Sequence, residues 1–202
     1  TAPYNTNLLN ITVRHLLQNV SGSWGAASGG DVIDQNPAYN YKQLFDWIID
    51  SRPNPNPPGT VYDYSNVNFV FAGRIIEKIT GKSYINYIKE DIMAPIGGTQ
   101  TDISGKTEAE QKPNEVKYYG QGNDAPFVYT IAFPRRDADG GLMTTASDLI
   151  RLVNAIDGSS TRPDILNSAS LTQLTTPSAA FNGYACGIGL WSAENIWFNY
   201  GS

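Results

Sequence analysis

The sequence predicts an α+β fold, with a helical region over about residues 11–175 and antiparallel strands over about 184–199, within one domain spanning 1–202. Three observations carry that expectation. Apolar residues recur at spacings of three and four in several segments of the N-terminal and middle regions. β-branched and aromatic residues crowd the C-terminal stretch. One proline run apart, no linker, repeat or low-complexity tract divides the chain.

Taken in order, Thr12 is an N-cap for a helix through Asn19, with Val13, Leu16 and Leu17 on one face. His15 is the only histidine and reads as a packing or hydrogen-bonding residue rather than a triad member. Gly22 to Gly30 is a small-residue loop carrying Trp24. A second helix covers Tyr41 to Asp50, with Leu44, Phe45, Ile48 and Ile49 on its apolar side. Pro53, Pro55, Pro57 and Pro58 stop it and deliver Pro58-Gly59-Thr60-Val61-Tyr62-Asp63-Tyr64-Ser65-Asn66 in an extended path.

The strongest helix signal follows over Asn66 to Thr80, with Phe69, Ala72, Ile75, Ile76 and Ile79 in register and Gly81 as terminator. Gly81-Lys82-Ser83 is that helix's cap and not a phosphate loop, which would have to open a helix instead. A helix over Tyr84 to Met93 stops at Pro95, and Gly97-Gly98 opens a polar loop through Lys112. Val116 to Tyr119 and Phe127 to Phe133 have strand character. Thr145 with Asp148 forms a capping-box pattern for a helix to about Ile156, whose stripe is Leu149, Leu152, Val153 and Ile156. A short helix over Ser168 to Leu174 precedes two strands, Tyr184 to Leu190 and Glu194 to Asn199.

Composition bounds the function. A chain of 202 residues, 41% hydrophobic, is long enough for a sizeable core. Fourteen basic residues against nineteen acidic ones, net charge -5, give a nucleic-acid partner no electrostatic footprint. No apolar run approaches the length that spans a bilayer, so no transmembrane segment is expected. Cys186 is the only cysteine, which excludes an internal disulfide and a cysteine-built metal site; no metal or other cofactor is expected. Its small neighbours mark it as a packing residue, not a nucleophile. Asn10-Ile11-Thr12 and Asn19-Val20-Ser21 fit the N-glycosylation pattern, which points to an extracytoplasmic or secreted protein.

Several segments fall in a telling order. Ile11-Thr12-Val13-Arg14-His15-Leu16-Leu17 is closed by Ser21-Gly22; Tyr64-Ser65-Asn66 is a Tyr-x-Asn triplet; Gly81 and Pro95-Ile96-Gly97 follow; then come Gly140-Gly141-Leu142 with Thr145-Ala146-Ser147-Asp148, and finally Trp197-Phe198-Asn199-Tyr200-Gly201. Together they resemble the serine β-lactamase and penicillin-binding protein superfamily, in particular its β-lactamase-related esterase and D-aminopeptidase branch.

The resemblance implies a β-lactamase/transpeptidase-like fold, incomplete at the N-terminus, with a helical subdomain and part of an antiparallel sheet. It implies a serine hydrolase that passes through an acyl-enzyme on an ester or amide. Tyr64 would be the general base and Asn66 a substrate- or lysine-orienting group, with Asn199, Tyr200 and Gly201 lining the substrate site. Gly140-Gly141 would make a tight turn near the active-site floor, using backbone angles that other residues avoid.

The family's nucleophile is the serine of S-x-x-K, and none of the serines here has a lysine three residues later. The expectation is therefore a piece of a longer protein, inactive alone, whose N-terminal segment supplies serine and lysine. The implied partners are that segment and a small-molecule or peptide substrate. Where the family has lysine or histidine before x-Gly, this chain has Asn199, which donates a hydrogen bond but carries no charge. That favours a neutral ester over substrates with a carboxylate. The alternative is a non-catalytic relative serving as a binding or structural module.

Overall fold

A computed structural model of the chain describes residues 6–24, 31–52, 54–105, 107–120, 127–191, 193–194 and 196–201. The chain divides into two compact units: residues 1–72 with 166–202, and residues 73–165.

In the first unit, α1 (Val13–Leu17) starts at Thr12, whose hydroxyl accepts from the His15 amide while His15 Nδ1 accepts from the Thr12 amide at 3.3 Å. His15 is thus a hydrogen-bonding residue of a capping box. The helix ends earlier than the sequence suggests, because Asn19 takes the left-handed conformation at φ 54°. The helix α2 (Tyr41–Ser51) is capped by a reciprocal Asn40–Gln43 pair and buries Leu44 and Ile48. These two meet Trp24, Val32, Ile33, Val67 and Val70 in the core, with Phe45 stacked on Phe71 at 4.1 Å.

The helix α3 runs over Asn66–Thr80, as its periodicity predicts, and Gly81 ends it in the left-handed region. Its buried face differs from the expected one. Val67 and Val70 are fully buried, whereas Ile79 is 78% exposed. The helix is apolar on several sides, so spacing alone could not choose which side meets the core.

The C-terminal part of this unit holds α6 (Ser168–Thr175), capped by Asn167, and the antiparallel pair β3 (Gly189–Trp191) with β4 (Ile196–Phe198). The expected strands are present in shortened form. One backbone bond ties this part to the N-terminal helix region, Gly187 donating to the Leu17 carbonyl, while Cys186 donates to the Leu174 carbonyl of α6. The Cys186 thiol donates to the Gln173 carbonyl and is pushed up by burial, as befits a packing residue.

In the second unit, α4 (Tyr84–Tyr87), capped by Ser83, continues without a break into a π-helical turn over Ile88–Met93. Two short strands pair antiparallel, β1 (Asp102–Ile103) and β2 (Leu142–Met143). The strand character read at Val116–Tyr119 and Phe127–Phe133 is not realised. The first stretch is irregular, and the second contains the 3₁₀ turns Phe127–Thr130 and Phe133–Arg135. Pro134, directly after that stretch and inside the second turn, fixes φ and removes a donor, which suits a tight turn better than a ladder.

The helix α5 (Ala146–Asn154) begins where Thr145 accepts from the Asp148 amide at 3.1 Å. Asp148 does not close the box. Its carboxylate accepts from the amides of Thr99 at 2.9 Å and Gln100 at 2.7 Å and from Arg151 at 2.6 Å. The expected apolar stripe of α5 is not a buried one, since Leu149 is 51% and Val153 49% exposed. The helix instead buries Asp148. An amphipathic pattern says which residues share a face, not whether the described residues cover it.

Candidate active site

Tyr64 lies two residues ahead of α3, on a segment laid against the turn that leaves α1. Three backbone donors fix this segment: the Gly59 amide to the Val20 carbonyl at 2.7 Å, the Asp63 amide to the Asn19 carbonyl at 2.9 Å, and the Ser65 amide to Asn19 Oδ1 at 3.0 Å. Asn19 Oδ1 also accepts from Asn68 Nδ2 at 2.9 Å, in the first turn of α3. Asn68 Oδ1 in turn accepts from the Ser21 hydroxyl, and Ser21 Oγ from Trp24 Nε1, both at 2.8 Å. Asn19, Ser21, Asn68 and Trp24 are all buried. The polar chain is therefore out of competition with water, where hydrogen bonds rigidify most.

Asn54 completes this floor. Its Oδ1 accepts from the Ser23 amide and its Nδ2 donates to the Ser21 carbonyl. Gly22 crosses it at φ 121°, with space over its Cα filled by the Asn54 side chain, so only glycine fits.

Tyr64 itself is 47% exposed, with its ring 6.3 Å from that of Phe69 and edge-on to Tyr184 at 6.2 Å. The Tyr62 ring lies tilted against Phe181 at 4.4 Å and 5.6 Å from Tyr184. The phenols differ in exposure. Burial above all, then Tyr64 and Tyr62, pushes the Tyr184 phenol up, with the Asn19 side chain pulling the other way. Burial again, then Tyr64 and Asp63, raises Tyr62. Tyr64 is the exposed phenol of the three.

Asn66, the first residue of α3, donates from Nδ2 to Asp31 Oδ2 at 2.6 Å, so its amide nitrogen is already engaged within the unit. Asn199, Tyr200 and Gly201 follow β4 and are exposed, with Tyr200 ringed against Phe198 at 4.8 Å. A path of contacts joins the two segments. Tyr64 meets Tyr184; Tyr184 bridges Gly189; and Gly189 pairs with Phe198, whose ring fills the space a Cβ there would need.

Gly140 and Gly141 belong to the second unit, where both amides donate to the Arg136 carbonyl. Neither has a positive φ, so the expectation of forbidden backbone angles is corrected. Gly141 is required by close approach, because a Cβ there would sit 2.4 Å from the Phe133 carbonyl oxygen. The same unit carries an open depression of about 370 Å³ lined by Ile85, Asp102, Ser104, Glu110, Lys112 and Asp137, none of them a site residue expected from sequence. Among the described residues no group of histidine, cysteine and carboxylate side chains could hold a metal ion, and no helix is long and apolar enough to cross a membrane.

Sequence reasoning missed Asn19, Tyr184 and Asp31. Asn19 had a usable signal: an asparagine directly after a short amphipathic helix is a left-handed cap candidate. As an N-glycosylation acceptor it is excluded in this fold, since its side chain is fully buried, whereas Asn10 is exposed.

The mixed helical architecture with short antiparallel pairs is that of β-lactamase/transpeptidase-fold proteins. D-amino acid amidase from Ochrobactrum anthropi SV3, complexed with D-phenylalanine, superposes with a TM-score of 0.66 at 23% identity, over 91% of this chain and 56% of that one. The penicillin-binding protein from Bacillus halodurans does so at 0.69 and 22%, over 90% of this chain and 58% of that one. In sequence, penicillin-binding protein 4* of Bacillus subtilis (strain 168) is 24% identical over 213 residues, which is 92% of this chain and 43% of that protein. The chain thus spans under half the length of that relative.

The Beta-lactamase family profile matches residues 5–194, and the chain belongs to that family, which is of the serine-hydrolase type. The match includes Tyr64 and Asn66 and ends before Asn199.

Proposed function

We propose that this chain is the base-bearing portion of a serine hydrolase that acts through an acyl-enzyme on an ester or amide, with Tyr64 as the general base. The observation that carries the reading is the contrast among three neighbouring tyrosines. Burial raises the phenols of Tyr62 and Tyr184, whereas Tyr64 is half-exposed, with the amides of the residues before and after it hydrogen-bonded. A base must reach a proton outside the protein surface and must hold still while doing so. Asn66 orients substrate or lysine, Asn199, Tyr200 and Gly201 line the acyl site, and the nucleophile comes from the rest of the longer protein.

The neutral Asn199 favours esters without a carboxylate, and the D-amino acid amidase of similar fold adds a D-amino acid amide as a second substrate to test. The exposed Asn10-Ile11-Thr12 triplet supports an extracytoplasmic or secreted site of action. The alternative reading, a non-catalytic binding or structural module, draws on Asn199 and on the engagement of Asn66 by Asp31.

The test is covalent trapping. The longer protein is quenched in acid during turnover of a nitrophenyl butyrate and weighed by mass spectrometry. A gain of one butyryl group on a serine outside these 202 residues is expected. An unmodified protein that nevertheless hydrolyses the ester would contradict the acyl-enzyme, and one that neither turns over nor is modified would favour the binding module.

A further inference from the structure

We infer that Asn19 is the positioning residue for Tyr64, an inference that rests on Tyr64 being the base. The amides on either side of Tyr64 are held by this one residue, that of Asp63 by its backbone carbonyl and that of Ser65 by its side-chain oxygen. The Ser65 bond fixes the peptide unit that follows Tyr64 and the Asp63 bond the unit one residue before it, so the two anchors bracket Tyr64 and restrict the direction of its Cα–Cβ bond.

Two features suit Asn19 to this. At φ 54° it occupies the left-handed region, which asparagine tolerates better than most residues, and there one residue presents both acceptors to one segment. Oδ1 also takes Asn68 Nδ2, so the first turn of α3 and the Tyr64 segment hang on the same oxygen. Asn19 is fully buried, so its hydrogen bonds do not compete with water.

Aspartate and glutamine would fail in different ways. Aspartate would bring a charge into a buried site, and glutamine would displace the oxygen by a methylene. Glycine is the informative replacement. It accepts φ 54° and keeps the backbone carbonyl for Asp63, so what is lost is the side chain's bonds to Ser65 and Asn68 and its interaction with the Tyr184 phenol.

The experiment compares Asn19→Gly, Ile48→Val and wild type in the longer protein. Ile48→Val is a control that loosens the core of the same unit without touching the hydrogen bonds of Asn19. Asn19→Gly is expected to lower kcat about tenfold or more with KM within twofold, as a misplaced base does, while Ile48→Val leaves both near wild type. A kcat within twofold of wild type in Asn19→Gly, or an equal loss in Ile48→Val, would overturn the inference.

Should Asn19→Gly not fold, amide hydrogen exchange on the wild-type chain decides. The Ser65 amide should exchange as slowly as the α3 interior, and rapid exchange there would overturn the inference. The two claims separate cleanly: full activity in Tyr64→Phe sinks the base assignment, whereas Ser65 exchange reports on the strap alone.

Discussion

Asn19 Oδ1 accepts the Ser65 amide at 3.0 Å, which ties the end of the first helix to the start of the third across 46 residues of sequence. Between them runs the proline-rich stretch, and the bond turns that stretch into a strap ending at Tyr64.

Gly22 lies under the same network, with Asn54 Oδ1 1.5 Å from where a Cβ would be. Gly22→Ala should destabilise the chain by about 2 kcal/mol or more, from overpacking and an unfavourable φ together. A denaturant titration reads this directly, and an unchanged midpoint would mean that Asn54 can move aside freely.

Asp148 sets a pH dependence. The Gln100 amide above all holds its carboxyl below the usual carboxylate range, against the opposing effect of burial, with the Thr99 amide and Arg151 adding to it. A folded pKa depressed below the unfolded one stabilises fully above about pH 4 and is lost as pH falls through the folded value. Asp148→Asn should therefore be less stable than wild type at pH 7, with the gap closing as pH drops below about 4. A gap that stays constant from pH 7 to pH 2.5 would remove the carboxylate's charge from the explanation.

The exposed side of α5 makes a contrast with the core. Val153→Lys in this chain should cost under about 0.5 kcal/mol, whereas Ile48→Ala should cost about 2–5 kcal/mol. Comparable losses in the two would show that the α5 stripe is buried after all.

Much of this was legible in the sequence, for reasons that differ by element. The limits of α3 were, because proline before it and Gly81 after it act locally. Its buried face was not, since Val67 and Val70 were chosen over Ile79 by partners such as Leu44 and Ile48 that lie far off in sequence. The pairing of Asp102–Ile103 with Leu142–Met143 was missed because each strand is only two residues long and shows no alternation. In the candidate site, Tyr64 was found by its triplet. Asn19 was read as a glycan acceptor, because a triplet pattern says nothing about burial.

Asn199 tests where the substrate site lies. If Asn199 occupies the family's cation position, Asn199→His or Asn199→Lys in the longer protein should raise the ratio of kcat/KM for a carboxylate-bearing substrate over a neutral ester. A charge about 4 Å from a carboxylate contributes roughly 1 kcal/mol in water-like surroundings, which is about fivefold. The gain should shrink at high salt. A ratio that does not rise, or rises equally at both salt levels, would place the family's cation elsewhere.

The most direct measurement is the hydrolysis of nitrophenyl butyrate by the longer protein with Tyr64→Phe. The replacement removes one hydroxyl and leaves the ring contacts with Phe69 and Tyr184 in place. With Tyr64 as the base, kcat/KM should fall by about 10²–10⁴ while the Ser65 amide stays protected. Turnover equal to wild type, with that amide still protected, would contradict the assignment of Tyr64 as the base.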